Sequence, residues 1–211
     1  MKKLFFAAIA LVATSFAAQA QINPRIEVAG NIARTTLTDA KGDNVTGLKI
    51  HPGFRAGVAV EIGIASGVYI APGLVFRQEG NKEEGTVSGT TKTLSNTLNY
   101  VSLPVDLGIR IPLSEGLAVS AEFGPTFSYG VSSSFESVAL VKSNLKETYD
   151  AFKEKRYNRF DMSINASAAV EFSKFYVRLG TDLGVVNNLK EAVQKASSKN
   201  ASFFVGVGYR F

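Results

Sequence analysis

The chain of 211 residues has no cysteine and one histidine, His51. Without cysteine no disulfide can staple the fold and no thioether-linked lipid can anchor it, so stability has to come from closure and burial. A lone histidine cannot make a multi-histidine metal site. A hydrolase would also need an aligned nucleophile and an orienting acid, and no such set is spelled out around His51. No cofactor, metal or enzymatic activity is therefore expected. Basic residues are not gathered into a cluster, which argues against nucleic acid as a partner. The glycines of the 80–93 stretch, Gly85 and Gly89, lack the Gly-Lys-Ser/Thr ending of a phosphate loop. Long apolar runs are also missing: residues 4–16 fall short of the roughly 20 residues that a membrane helix requires.

What is present begins with a three-part leader: basic Lys2 and Lys3, the apolar run, and a small-residue exit at Ala18-Gln19-Ala20. This pattern predicts a secretory signal peptide over residues 1–20 with cleavage before Gln21. Loss of Lys2 and Lys3 lowers the formal charge from +5 to +3. Residues 21–211 show no linker or low-complexity break, and their length suits a single domain of about 100–200 residues.

Within that domain eight segments alternate apolar with polar or small residues at period two, the mark of strands with two unlike faces. The clearest sets Val101, Leu103, Val105, Leu107, Ile109 and Ile111 against Ser102, Asp106, Gly108 and Arg110. The first is weakest, with Ile26, Val28 and Ile32 against Glu27 and Asn31 and a start expected near Arg25. Connections alternate in length: 35–50, 78–97, 132–158 and 186–200 are long, whereas 63–67, 112–116 and 173–174 are short. Long outer loops and short periplasmic turns in that order are the habit of a membrane barrel with both termini in the periplasm.

Period two does not say which face is inside, since a soluble barrel has the same pattern with its apolar face inward. Charge placement separates the two. Every lysine from Lys41 to Lys199 is expected in loops, turns or strand margins, whereas charges within strands are Arg, Asp and Glu, which pair well in a closed interior. A basic side chain facing lipid at mid-membrane would cost about 2–4 kcal/mol, so these charges must point inward. Aromatics gather at strand ends: Phe54, Phe76, Phe127, Tyr129, Phe160 and Phe203 at the outer rim, and Phe172, Phe175, Tyr209 and Phe211 at the inner one. The expected fold is all-β, an eight-stranded antiparallel up-and-down transmembrane β-barrel in contact with outer-membrane lipids.

At the fourth segment, Asn99-Tyr100-Val101-Ser102-Leu103-Pro104-Val105 resembles the tyrosine-to-proline signature of the PorT-like, or outer-membrane β-barrel domain, family of small porin-like proteins. Gly124-Pro125-Thr126-Phe127 and the closing Gly206-Val207-Gly208-Tyr209-Arg210-Phe211 are similar to that family's habit. The resemblance implies a barrel in the cell outer membrane of a Gram-negative bacterium. Its carboxy-terminal Phe211 resembles the signal read by barrel-insertion machinery. No catalytic residues come with the family pattern.

The predicted lumen lining is Arg55, Glu61, Arg77, Asp106, Arg110, Glu122, Asp161, Glu171, Arg178, Asp182 and Arg210. One reading is a polar pore lining that sets ion preference; the other is a plug of paired charges. Asp106 and Arg110, too far apart to pair along one strand, should find partners on neighbouring strands. In the third long connection Leu145, Tyr149 and Phe152 recur at helical spacing after Ser143, predicting a short helix that either offers a partner surface or folds over the mouth. The leading functional expectation is a non-enzymatic barrel acting through its outer loops on an extracellular protein or glycan. The alternative is a narrow porin passing ions or very small solutes.

Overall fold

The computed structural model describes residues 22–39, 41–43, 45, 47–87, 90–136, 148–154, 157–190 and 196–211. Its strands are β1 (Ile22–Thr38), β2 (His51–Ala65), β3 (Val68–Val87), β4 (Thr90–Ser114), β5 (Leu117–Glu136), β6 (Thr148–Tyr149), β7 (Phe160–Phe172), β8 (Phe175–Gly184) and β9 (Ser197–Arg210). Eight of them pair antiparallel in chain order, and the β4–β5 and β1–β9 ladders leave no open edge to the ring. The short β6 adds only to the outer end of β5. Closure satisfies the backbone groups that lipid cannot. No helix among the described residues is long and apolar enough to cross a membrane; the crossing is made by strands.

Alternation decides the two faces. In β1 the even positions from Ile22 to Thr36 face out, and Arg25, Ala29, Asn31, Ala33 and Thr35 are buried. The same holds around the ring: Val58, Leu103, Leu107, Phe123, Leu179 and Val207 are half-exposed or more on the outside, while Glu61, Asp161 and Ser102 have essentially no accessible surface. The outer surface is thus apolar and the core polar, the inverse of a water-soluble barrel. Tight turns at Gly67 and Gly116, both at positive φ, end the periplasmic side. The aromatic rims are visible as ring contacts, Phe54 with Phe76 at 5.5 Å above and Phe175 with Tyr209 at 5.0 Å below.

Four sequence expectations are corrected. β1 begins at Ile22, before Arg25. The 78–97 connection, 80–93 included, is not a loop: β3 runs to Val87 and β4 starts at Thr90, paired from Gln78↔Asn99 to Val87↔Thr90. Thr90, Thr91, Thr93 and Thr97 favour extended backbone, and cross-strand pairing outweighs the local glycines. Lys82 and Lys92 consequently lie on strands, in the part of the hairpin that extends beyond the β2–β3 ladder. Finally, the described part of the predicted helix is β6 followed by a turn at 151–154; Ser143 and Leu145 lie outside the described residues.

Candidate functional site: a lumen closed at both ends

At the periplasmic end, Arg110 reaches across the lumen to Glu61 (2.6 Å) and Glu171 (2.8 Å), and Arg210 reaches the same two carboxylates at 3.1 and 2.8 Å. Glu61 also takes Arg25 at 2.9 Å, so one carboxylate serves three guanidiniums. One level up, Glu122 accepts from Arg25 (2.9 Å), Arg178 (3.0 Å) and the Tyr69 hydroxyl (2.7 Å), and Arg178 meets Glu27 at 3.2 Å. These partners sit on all eight strands of the ring, β1 to β5 and β7 to β9, so the cluster ties the ring together across its diameter. Arg110 therefore pairs with β2 and β7, not with its neighbours β3 and β5 as expected.

Nearer the outside a second cluster forms. Asp182 holds Arg55 at 2.8 Å and Arg77 at 3.3 Å and accepts the Asn165 amide at 3.1 Å. Arg77 also faces Glu79 (3.4 Å) and Asp161 (4.0 Å), which in turn take Ser202 and Asn200. Between the clusters lies a cavity of about 30 Å³ bordered by Arg25, Arg55, Asp106, Asn165, Arg178 and Phe204. That is room for water and for nothing larger. Asp106 makes no ion pair with a described residue, contrary to expectation, and its Oδ1 borders this space unpartnered.

Aromatic rings fill what the charges leave. Tyr69 lies over Gly108, Tyr176 over Gly208 and Phe204 over Gly180, each on its directly paired residue. A Cβ at any of these glycines would run into the ring. The guanidiniums of Arg110, Arg178 and Arg55 stack on these rings at 4.7, 5.2 and 3.8 Å, a further contribution where the site is dry.

The outer mouth is shut by apolar packing. Phe152, 4% exposed, lies on Gly130 and meets Tyr100 edge-on at 5.8 Å. Phe135, Leu98 and Ala151 complete the cluster, with Tyr149 and Tyr157 against it. The turn carrying Phe152 is held by Asp150, whose Oδ1 accepts from the Ser133 hydroxyl (2.8 Å) and the backbone N–H groups of Phe152 (3.0 Å) and Lys153 (3.3 Å). Burial raises the Asp150 carboxyl, but these three donors outweigh it and hold the group below its ordinary value. Phe152 thus points into the mouth and is no contact surface. His51 lies close by, with Nδ1 at 3.3 Å from Ser95 Oγ and Nε2 at 3.2 Å from Thr97 Oγ1. Both ring nitrogens are engaged by hydroxyls, which leaves no place for an orienting carboxylate.

Sequence reasoning did not select Arg25, Glu79, Tyr69, Tyr176 or Phe204. Arg25 shares the parity of Glu27 and Asn31, and Glu79 that of Arg77, so extending the alternation would have found both. The ring-on-glycine pairs carry no such signal, because they exist only in the register.

A family model, outer membrane protein beta-barrel domain, matches residues 17–194. The chain belongs to that family. This outer-membrane barrel is similar in fold to the attachment invasion locus protein Ail of Yersinia pestis, solved with the heparin analogue sucrose octasulfate. The two are 15% identical with a TM-score of 0.46, over 90% of this chain and 99% of that one. It is similar also to Neisserial surface protein A (8% identity, TM-score 0.46, 88% and 97% covered) and to OprG of Pseudomonas aeruginosa (9%, 0.45, 89% and 95%). No curated protein matches the chain.

Proposed function

We propose that this family member is a non-enzymatic, PorT-like outer-membrane barrel, secreted with a cleaved leader, whose interior is sealed and whose working surface is its outer loops. The carrying observation is that the charged lumen side chains, Asp106 apart, pair with one another across the ring, and Phe152 packs at the mouth above them. A lumen so filled leaves the loops as the surface able to meet an extracellular protein or glycan. Phe211, exposed beside Tyr209 at the end of β9, is offered to the insertion machinery. The test is single-channel conductance of the refolded barrel in a planar bilayer, with heat-modifiable gel mobility as proof of folding. A folded, silent barrel supports the sealed reading; steady unitary currents refute it and favour a narrow porin.

A further inference from the structure

Six of the described arginines, Arg25, Arg55, Arg77, Arg110, Arg178 and Arg210, form ion pairs, and Arg159 bonds the Gly130 carbonyl. Arg34 is different: it faces outward from β1, is exposed, and forms no ion pair or hydrogen bond with a described residue. Lys199 on β9 shares that condition. The register brings them together. Arg34 pairs with Ala201 and Thr36 with Lys199, so the two cations are diagonal neighbours on one face, roughly 7–8 Å apart.

The outward positions of β1, β9 and the flanking β2 and β8 carry no carboxylate; beside the two cations they are apolar residues, Gly, Thr or Ser. Two adjacent like charges on a sheet repel, and no described residue pairs with either of them there. Their height is equally specific. Outward apolar residues of β1 run from Ile22 to Ile32; ten residues at about 3.3 Å and a tilt near 40° span about 25 Å, the height of a barrel's apolar band. Arg34 is the next outward residue, one pleat above Ile32 and its partner Phe203. Their long stems can lie along the apolar rim while the charged heads reach the polar layer.

We propose that Arg34 and Lys199, with the Thr36 hydroxyl beside them, form a phosphate site for an anionic phosphoglycolipid of the outer leaflet. Two cations, a hydroxyl donor and an aromatic just below match a phosphorylated headgroup whose acyl chains continue down the apolar wall. The site rests on the barrel's setting in an outer membrane and is independent of whether the lumen is sealed.

The test compares binding of two probes to the refolded full barrel in detergent, read by native mass spectrometry: bisphosphorylated lipid A and the same lipid dephosphorylated. At about a tenth in population per 1.4 kcal/mol and about 1 kcal/mol for each cation near an anionic surface, the phosphorylated lipid should bind about thirtyfold more tightly. Arg34→Gln with Lys199→Gln should abolish that preference, and Arg34→Lys with Lys199→Arg should restore it. The exposed Lys190→Gln should leave it intact. Full preference in the double glutamine variant would overturn the proposal. So would displacement of the lipid by equimolar inorganic phosphate, which would make the site one for the free ion.

Discussion

The two ends of the lumen are closed by different chemistry. The periplasmic end is sealed by ion pairs between residues fixed in strands, with Glu61 and Glu171 each shared by more than one arginine. At the outer end an apolar cluster packs around Phe152, which is carried on a turn that Asp150 holds. A seal built into the ladders can open only if the barrel deforms. A seal on a turn can move with that turn without breaking a barrel ladder.

The comparison is tested first at Glu122. Replacement by Leu takes from Arg25 and Arg178 their shared partner, leaving them only Glu61 and Glu27, and should cost up to about 3–5 kcal/mol, read as a lower urea midpoint for unfolding of the vesicle-inserted barrel. A loss below about 1 kcal/mol would mean that water screens these pairs, as it does at exposed sites. Next, Gly108→Ala should drive Tyr69 off its partner strand and weaken its bond to Glu122, costing about 1–3 kcal/mol. A neutral result would show that the ring has another place to go.

Phe152→Ala should act locally. The packing of the buried ring, about 3–5 kcal/mol for a Phe→Ala truncation in a core, should be lost from the mouth alone: amide exchange rises around residues 150–154 while the barrel ladders stay protected. Conductance should remain silent, since the periplasmic seal is intact; currents from this variant alone would show that the lid was the sole barrier. The smallest effect is on pH. The Asp150 carboxyl lies below its ordinary value, so its contribution is complete above the usual carboxylate range and fades as pH falls through the folded-state value. Exchange at Phe152 and Lys153 should be insensitive to this group at neutral pH and should rise in strong acid, with Asp150→Asn showing no such rise.

Much of the architecture was legible in residue order. A barrel strand repeats every two residues, and lipid on one side with a closed lumen on the other gives the two faces opposite composition. Val101 to Ile111 and Phe203 to Phe211 therefore revealed facing but not extent, since β4 starts at Thr90 and β9 at Ser197. Where alternation met a loop-like composition the reading broke: the threonine-rich 90–97 stretch is strand because its partners in β3 are in register. Helical spacing of Tyr149 and Phe152 likewise misled, because pairing with Phe135 and the Asp150 turn outweighed a weak local preference.

The sequence by itself determined which residues are polar-inward and which are apolar-outward, since that choice follows from parity along one strand. Only the tertiary structure decided who meets whom: Arg110 with Glu171, Tyr69 on Gly108, Phe152 over the mouth, Arg34 beside Lys199. Those meetings depend on how strands far apart in the chain are staggered when the ring closes, and stagger is a property of the closed sheet, not of any one strand.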